Sequence, residues 1–152
     1  MLRDLEVGAV LKVMTPIPLP DNDASIYFVA GRRQLPMAGS TFCAFEPSRA
    51  EDASRELKGR LQITKVFEDH DPETGAYNGT YLNVMQLSED GKESLSPAAV
   101  VSIRCVRNLE VDKILNIWVA GEAMDSYPTN DGDPPTVKDF INALKGIVTL
   151  DL

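Results

Sequence analysis

Apolar and polar residues alternate along much of this chain, and where alternation fails the apolar runs are short. A two-residue period sends successive side chains to opposite faces of an extended backbone, so the pattern favours strands over helices. It predicts strands over 7–14, 25–31, 40–46, 61–68, 77–87, 98–107 and 113–121, with a short last strand over 147–151. The clearest alternation is at Ala99, Val101, Ile103 and Cys105, which share one face while Ser102 and Arg104 take the other. The run from Ile114 to Ala120 is apolar on both faces and reads as a central or doubly covered strand.

One turn follows from its chemistry. Asp71-Pro72-Glu73-Thr74-Gly75 offers an acid able to bond its own backbone, a proline that sets φ and a glycine free to take a left-handed conformation. These are the needs of a type I turn closed by a glycine bulge. A hairpin pairing 61–70 with 76–87 is expected, with His70 opposite Tyr77.

Two helices carry boundary signals. Ser48-Arg49-Ala50-Glu51 fits a capping box, Ala50, Ala53 and Leu57 give a narrow stripe, and Gly59 supplies a stop, so a short surface helix is expected there. Val137, Phe140, Ile141 and Leu144 fall at i, i+3, i+4 and i+7 after a Thr136 cap with Asp139 three residues on. With Gly146 as terminator, this predicts an amphipathic helix over 137–145 that covers a core. Proline at every second position of Pro16-Ile17-Pro18-Leu19-Pro20 reads as an extended edge or stiff loop. The stretch 122–135 reads as a long loop, a common seat of function.

Together these elements predict a single α+β domain, mostly antiparallel β. About seven to eight strands form a curled sheet, small barrel or sandwich, with one C-terminal amphipathic helix and a short surface helix. The length, 152 residues, is enough to bury a sizeable core without disulfide or metal. No run approaches the ~18 apolar residues of a membrane-spanning helix. The acids of Met1-Leu2-Arg3-Asp4-Leu5-Glu6 do not fit a signal peptide, so a cytoplasmic location is expected. Cys43 and Cys105 each lie in an apolar run and are expected to be free core thiols.

Charge changes the picture. The net charge is -8, yet residues 1–60 contain eight basic and eight acidic residues, so the whole excess lies in 61–152. Two stretches concentrate it without an intervening base: Glu68, Asp69, Asp71 and Glu73 around the hairpin, and Glu122, Asp125, Asp131 and Asp133 in the long loop. Such a surface repels phosphate backbones and steers basic partners, which makes nucleic acid an unfavourable ligand. Arg32 and Arg33, adjacent after a strand, are the strongest basic feature and form a candidate anion-binding pair in a loop.

Familiar catalytic patterns are missing. The chain has one histidine, and Glu68-Asp69-His70-Asp71 points its neighbours in opposite directions, so no metal site is expected. Phe42 and Phe45 beside Cys43 favour an inert buried sulfur over a nucleophile. No nucleophile elbow, P-loop or dinucleotide-binding glycine motif occurs, and no cofactor is expected. Asp21-Asn22-Asp23 and Asp131-Gly132-Asp133 lack the continuation of a calcium loop.

The functional expectation is a non-enzymatic interaction module whose acidic loops, 68–73 and 122–133, engage a basic protein surface. A bacterial or phage accessory or inhibitor protein fits this size and charge. A second expectation is a small-ligand barrel or small enzyme with a pocket at the barrel mouth, using Arg32 or Arg33 to hold an anion and Tyr77, Tyr81 or Asp125 as polar groups. A third is self-association through an unpaired strand at 147–152.

Overall fold

A computed structural model describes residues 1–19, 25–37, 39–47, 56–73, 75, 77–87, 101–109 and 132–151. Its strands are β1 (Val10–Val13), β2 (Ile17–Pro18), β3 (Ile26–Val29), β4 (Arg32–Arg33), β5 (Phe42–Pro47), β6 (Glu56–Leu57), β7 (Arg60–His70), β8 (Tyr77–Gln86), β9 (Val101–Val106) and β10 (Val148–Asp151). One helix, α1 (Val137–Ala143), and a single 3-10 turn at Leu2–Asp4 complete the described elements. Eight strands form one sheet in the order β10-β1-β7-β8-β9-β5-β3-β4, every pairing antiparallel, while β2 and β6 pair separately. The large sheet curls strongly into a half-barrel, as the sequence pattern led us to expect.

Alternation decides what lies inside the curl. Leu61, Ile63, Leu82, Val84, Val101, Ile103, Cys105, Cys43, Phe45, Ile26 and Phe28 form one buried cluster, closed by Phe140, Ala143 and Leu144 of the helix and its end. Thr136 caps α1 by accepting from the Asp139 amide at 3.0 Å, and Asp139 accepts from the Thr136 amide at 2.9 Å, the expected reciprocal box. Ile141, expected on the covered stripe, is 44% exposed, and Ala143 is buried instead. The packed arc runs through Val137, Phe140, Ala143 and Leu144, and Ile141, a step of about 100° beyond Phe140, falls at its margin.

Two local expectations are corrected. Glu56–Leu57, the described end of the expected surface helix, is a strand paired with Ile17–Pro18, and Leu57 is fully buried. Its remainder, 48–55, lies outside the described residues, as does the expected strand 113–121. A buried leucine pairing across to Ile17 outweighs a narrow alanine stripe, because burial rather than propensity sets the fold of short segments. The second correction concerns sulfur. Cys43 and Cys105 are cross-strand partners on β5 and β9 and form a disulfide, where free thiols were expected. The expectation treated each apolar run alone, whereas the register sets the two Cα atoms 4.1 Å apart.

The expected hairpin is present. The Gly75 amide donates to the Asp71 carbonyl, the Glu73 amide donates to Asp71 Oδ1 at 2.8 Å, and Gly75 takes φ +73°. His70 pairs with Tyr77 and their rings meet edge-on, 5.8 Å between centroids.

Candidate functional site

The end of the sheet that carries this hairpin collects most of the chain's described polar chemistry. The strands pass their register outward: Glu68 opposes Thr80, and Thr80 opposes Cys105 on β9. Two residues beyond Cys105, Arg107 pairs with Asp133, amide to carbonyl in both directions at 2.9 and 2.7 Å. Asp133 thereby occupies the place beside β9 that β8 leaves as it turns into the hairpin. Of the second predicted acidic stretch only Asp133 is placed, at the hairpin end of the sheet; Glu122, Asp125 and Asp131 lie outside the described residues.

The acids differ in what they touch. Glu68 accepts from Arg3 Nη1 at 2.6 Å, which raises the Arg3 pKa through that hydrogen bond and the carboxylate's charge. Asp69 accepts from Asn78 Nδ2 at 3.0 Å. Asp71 is engaged by the turn, while Glu73 and Asp133 are exposed. Arg107 lies 3.8 Å from Asp139 Oδ2. Of the stretch that lacks bases in sequence, Glu68 therefore gains Arg3 in space, while Asp69 is held by the neutral Asn78 amide and Glu73 and Asp133 stand exposed.

Beneath this surface, on the face of the sheet opposite the main core, lies a polar group that alternation alone does not single out. Arg104 was expected on the face of β9 that carries Ser102; its position on that face holds, and it is only 3% exposed. Its stem runs over Gly79, where a Cβ would stand 2.8 Å from Arg104 Cγ, and its Nε donates to the Asn78 carbonyl at 2.8 Å. The guanidinium lies 5.7 Å from the Phe42 ring centroid. Phe42, Ala44, Val106 and Leu109 form a second apolar cluster on this face, so β5 and β9 are covered on both sides. That is why the arginine is buried.

Glu46 and Tyr81 flank it. Burial pushes the Glu46 carboxyl above the usual carboxylate range, while Arg104 and a hydrogen bond from Tyr81 pull the other way. Burial, then the Glu46 charge, pushes the Tyr81 phenol up to about 12. Tyr81 stacks on Phe67 with ring centroids 5.2 Å apart. Tyr77 is raised by burial as well, and its hydroxyl donates to the Cys105 carbonyl at 3.2 Å. Asn78 Oδ1 is buried without a hydrogen-bond partner among the described residues.

Arg32 and Arg33 stand apart from all of this. They form the two-residue edge strand β4, four strands from β8, rather than a loop. Ala30 and Gly31, both at positive φ, make the tight turn that returns the chain along β3. The sequence hid this turn because alanine seldom takes that conformation. Both arginines are exposed, and neither forms an ion pair among the described residues.

Among the described residues, no three His, Cys, Asp or Glu side chains group as for a metal ion, and no helix is long and apolar enough to cross a membrane. No protein-family model, no curated protein and no solved structure matches the chain.

Proposed function

We propose that this chain is a non-enzymatic protein-interaction module whose acidic end, loops 68–73 and 122–133, engages a basic surface on a partner. The observation that supports it is the meeting of Asp71 and Glu73 at the hairpin tip with Asp133 on the adjoining ladder, all at one end of the sheet. Carboxylates held on a paired backbone lose little freedom when a basic surface arrives, so they favour both steering and register.

The test is affinity purification from the native host at about 50 mM and about 500 mM salt, where screening differs several-fold in length. The charge-neutral variant Asp71→Asn, Glu73→Gln, Asp133→Asn keeps the turn acceptor. Capture is expected to fall at high salt and in the variant. Capture indifferent to both overturns the reading.

The cytoplasmic location expected from the sequence meets an opposing observation in the Cys43–Cys105 disulfide, since reducing compartments disfavour such bonds. Acid-trapping the protein from its host and alkylating its thiols gives the resident redox state.

A further inference from the structure

The two outer strands of the large sheet are not equivalent. On β10, the Met14 amide donates to the Ile147 carbonyl, so the alternate positions Val148 and Leu150 turn their backbone groups away from β1. The outward Val148 amide is already bonded to the Leu144 carbonyl at 3.0 Å, at the end of the helix segment. That edge is blunted at Val148, while Leu150 beyond it keeps its groups outward.

On β4 the Gln34 amide donates to the Tyr27 carbonyl at 3.1 Å, which makes 27 and 34 a hydrogen-bonded pair in line with Val29 and Arg32. The intervening Arg33, and Leu35 beyond it, therefore point their amides and carbonyls away from β3. Among the described residues nothing pairs with them. Their side chains are exposed too: Leu35 is 50% exposed and Met37 70%, with Pro36 buried between them as an anchor.

We infer that this edge accepts an extended acidic segment of another protein by strand addition. Main-chain bonds to Arg33 and Leu35 would supply the pairing, and side chains would supply the choice. Arg33 opposes the core residue Phe28 and Arg32 opposes Val29, so the two guanidiniums lie on opposite faces of the added strand. The matching segment carries two consecutive Asp or Glu residues, one for each face, and an apolar residue opposite Leu35. A second copy of this chain adding its own β4 across a two-fold axis would set arginine against arginine, which disfavours that occupant. Edge arginines also serve simply to discourage pairing. The two roles differ in outcome, since a purely protective edge binds nothing. This site is separate from the acidic end, and neither reading depends on the other.

The experiment is an NMR titration of the full chain with the peptide acetyl-Val-Thr-Glu-Glu-Thr-Val-amide, with Lys-Lys in place of Glu-Glu as control. The Arg33 and Leu35 amides should exchange rapidly in the free protein and become protected on binding. Arg32→Glu with Arg33→Glu should weaken the acidic peptide about tenfold or more, from two cross-strand pairs turned repulsive. Arg33→Pro removes only an outward amide, so it should keep the fold and lose binding. A peptide N-methylated at the amides facing β4 tests the same bond without touching the protein. Protection of those amides in the free protein, equal binding of both peptides, retained binding by the N-methylated peptide, or a dimer without peptide would each overturn the inference.

Discussion

Cys43 and Cys105 face each other across β5 and β9, and the Tyr77 hydroxyl bonds the carbonyl of the second. Two central strands are thus joined by hydrogen bonds and by a covalent bond that closes a loop with a sequence separation of 62. Closing a loop of that size restricts the unfolded chain, and such bonds typically contribute about 2–4 kcal/mol. The Cys43→Ala, Cys105→Ala variant should lose stability on that order in urea denaturation, and the native protein in reductant should show a similar loss. A native protein equally stable with and without reductant would show that the bond constrains nothing.

Gly31 and Gly59 both have positive φ but different surroundings. A Cβ at Gly59 meets open space, whereas one at Gly31 runs into the Lys145 carbonyl. Gly59→Ala should cost only the backbone strain, about 1–2 kcal/mol. Gly31→Ala should cost clearly more, because it also pushes the β3–β4 turn off the end of α1, where the Gly31 amide donates to Ala143. Equal costs in chemical denaturation would mean that this docking adds no stability.

Thr136→Ala removes one half of the capping box on α1. The expected loss is about 1 kcal/mol, and Thr136→Ser should restore most of it. Because Phe140 and Leu144 close the core, the loss should appear in global unfolding and not as fraying of the helix alone.

Glu46 gives a pH dependence of definite sign. Burial raises its carboxyl pKa from the ordinary 4.5, so the folded protein holds that proton more tightly than the unfolded chain. Its contribution to stability is greatest below the unfolded value and is lost as pH rises through the folded value. Glu46→Gln keeps an acceptor for Tyr81 without the charge. It should be more stable than the native protein at pH 7, with the difference shrinking toward pH 4 in thermal melts. A less stable variant at pH 7 would mean that attraction to Arg104 outweighs burial.

Local chemistry was readable in the sequence. The turn at Asp71 to Gly75, the facing of His70 and Tyr77, and the Thr136–Asp139 box each depend on residues a few positions apart, and each stands as read. What escaped depends on lateral neighbours far along the chain. The disulfide needs the β5–β9 register, the burial of Arg104 needs Phe42 and Gly79, and the strand at Glu56–Leu57 needs Ile17. The acidic end was half legible: composition marked its carboxylates, but only the fold supplies Arg3 to offset Glu68.

The pairing of β1 with β10 also governs when this protein can fold. Thr15 meets Gly146 across 131 positions of sequence, and Val10 opposes Asp151. During synthesis, β1 emerges well over a hundred residues before β10 and lacks its outer neighbour until then. Folding rates fall as contacts become less local, so refolding should be slow for a domain of this size, in the millisecond-to-second range of non-local β proteins. Until β10 arrives, β1 is an edge strand open to wrong partners, and the interval before closure is when the protein is most exposed to aggregation.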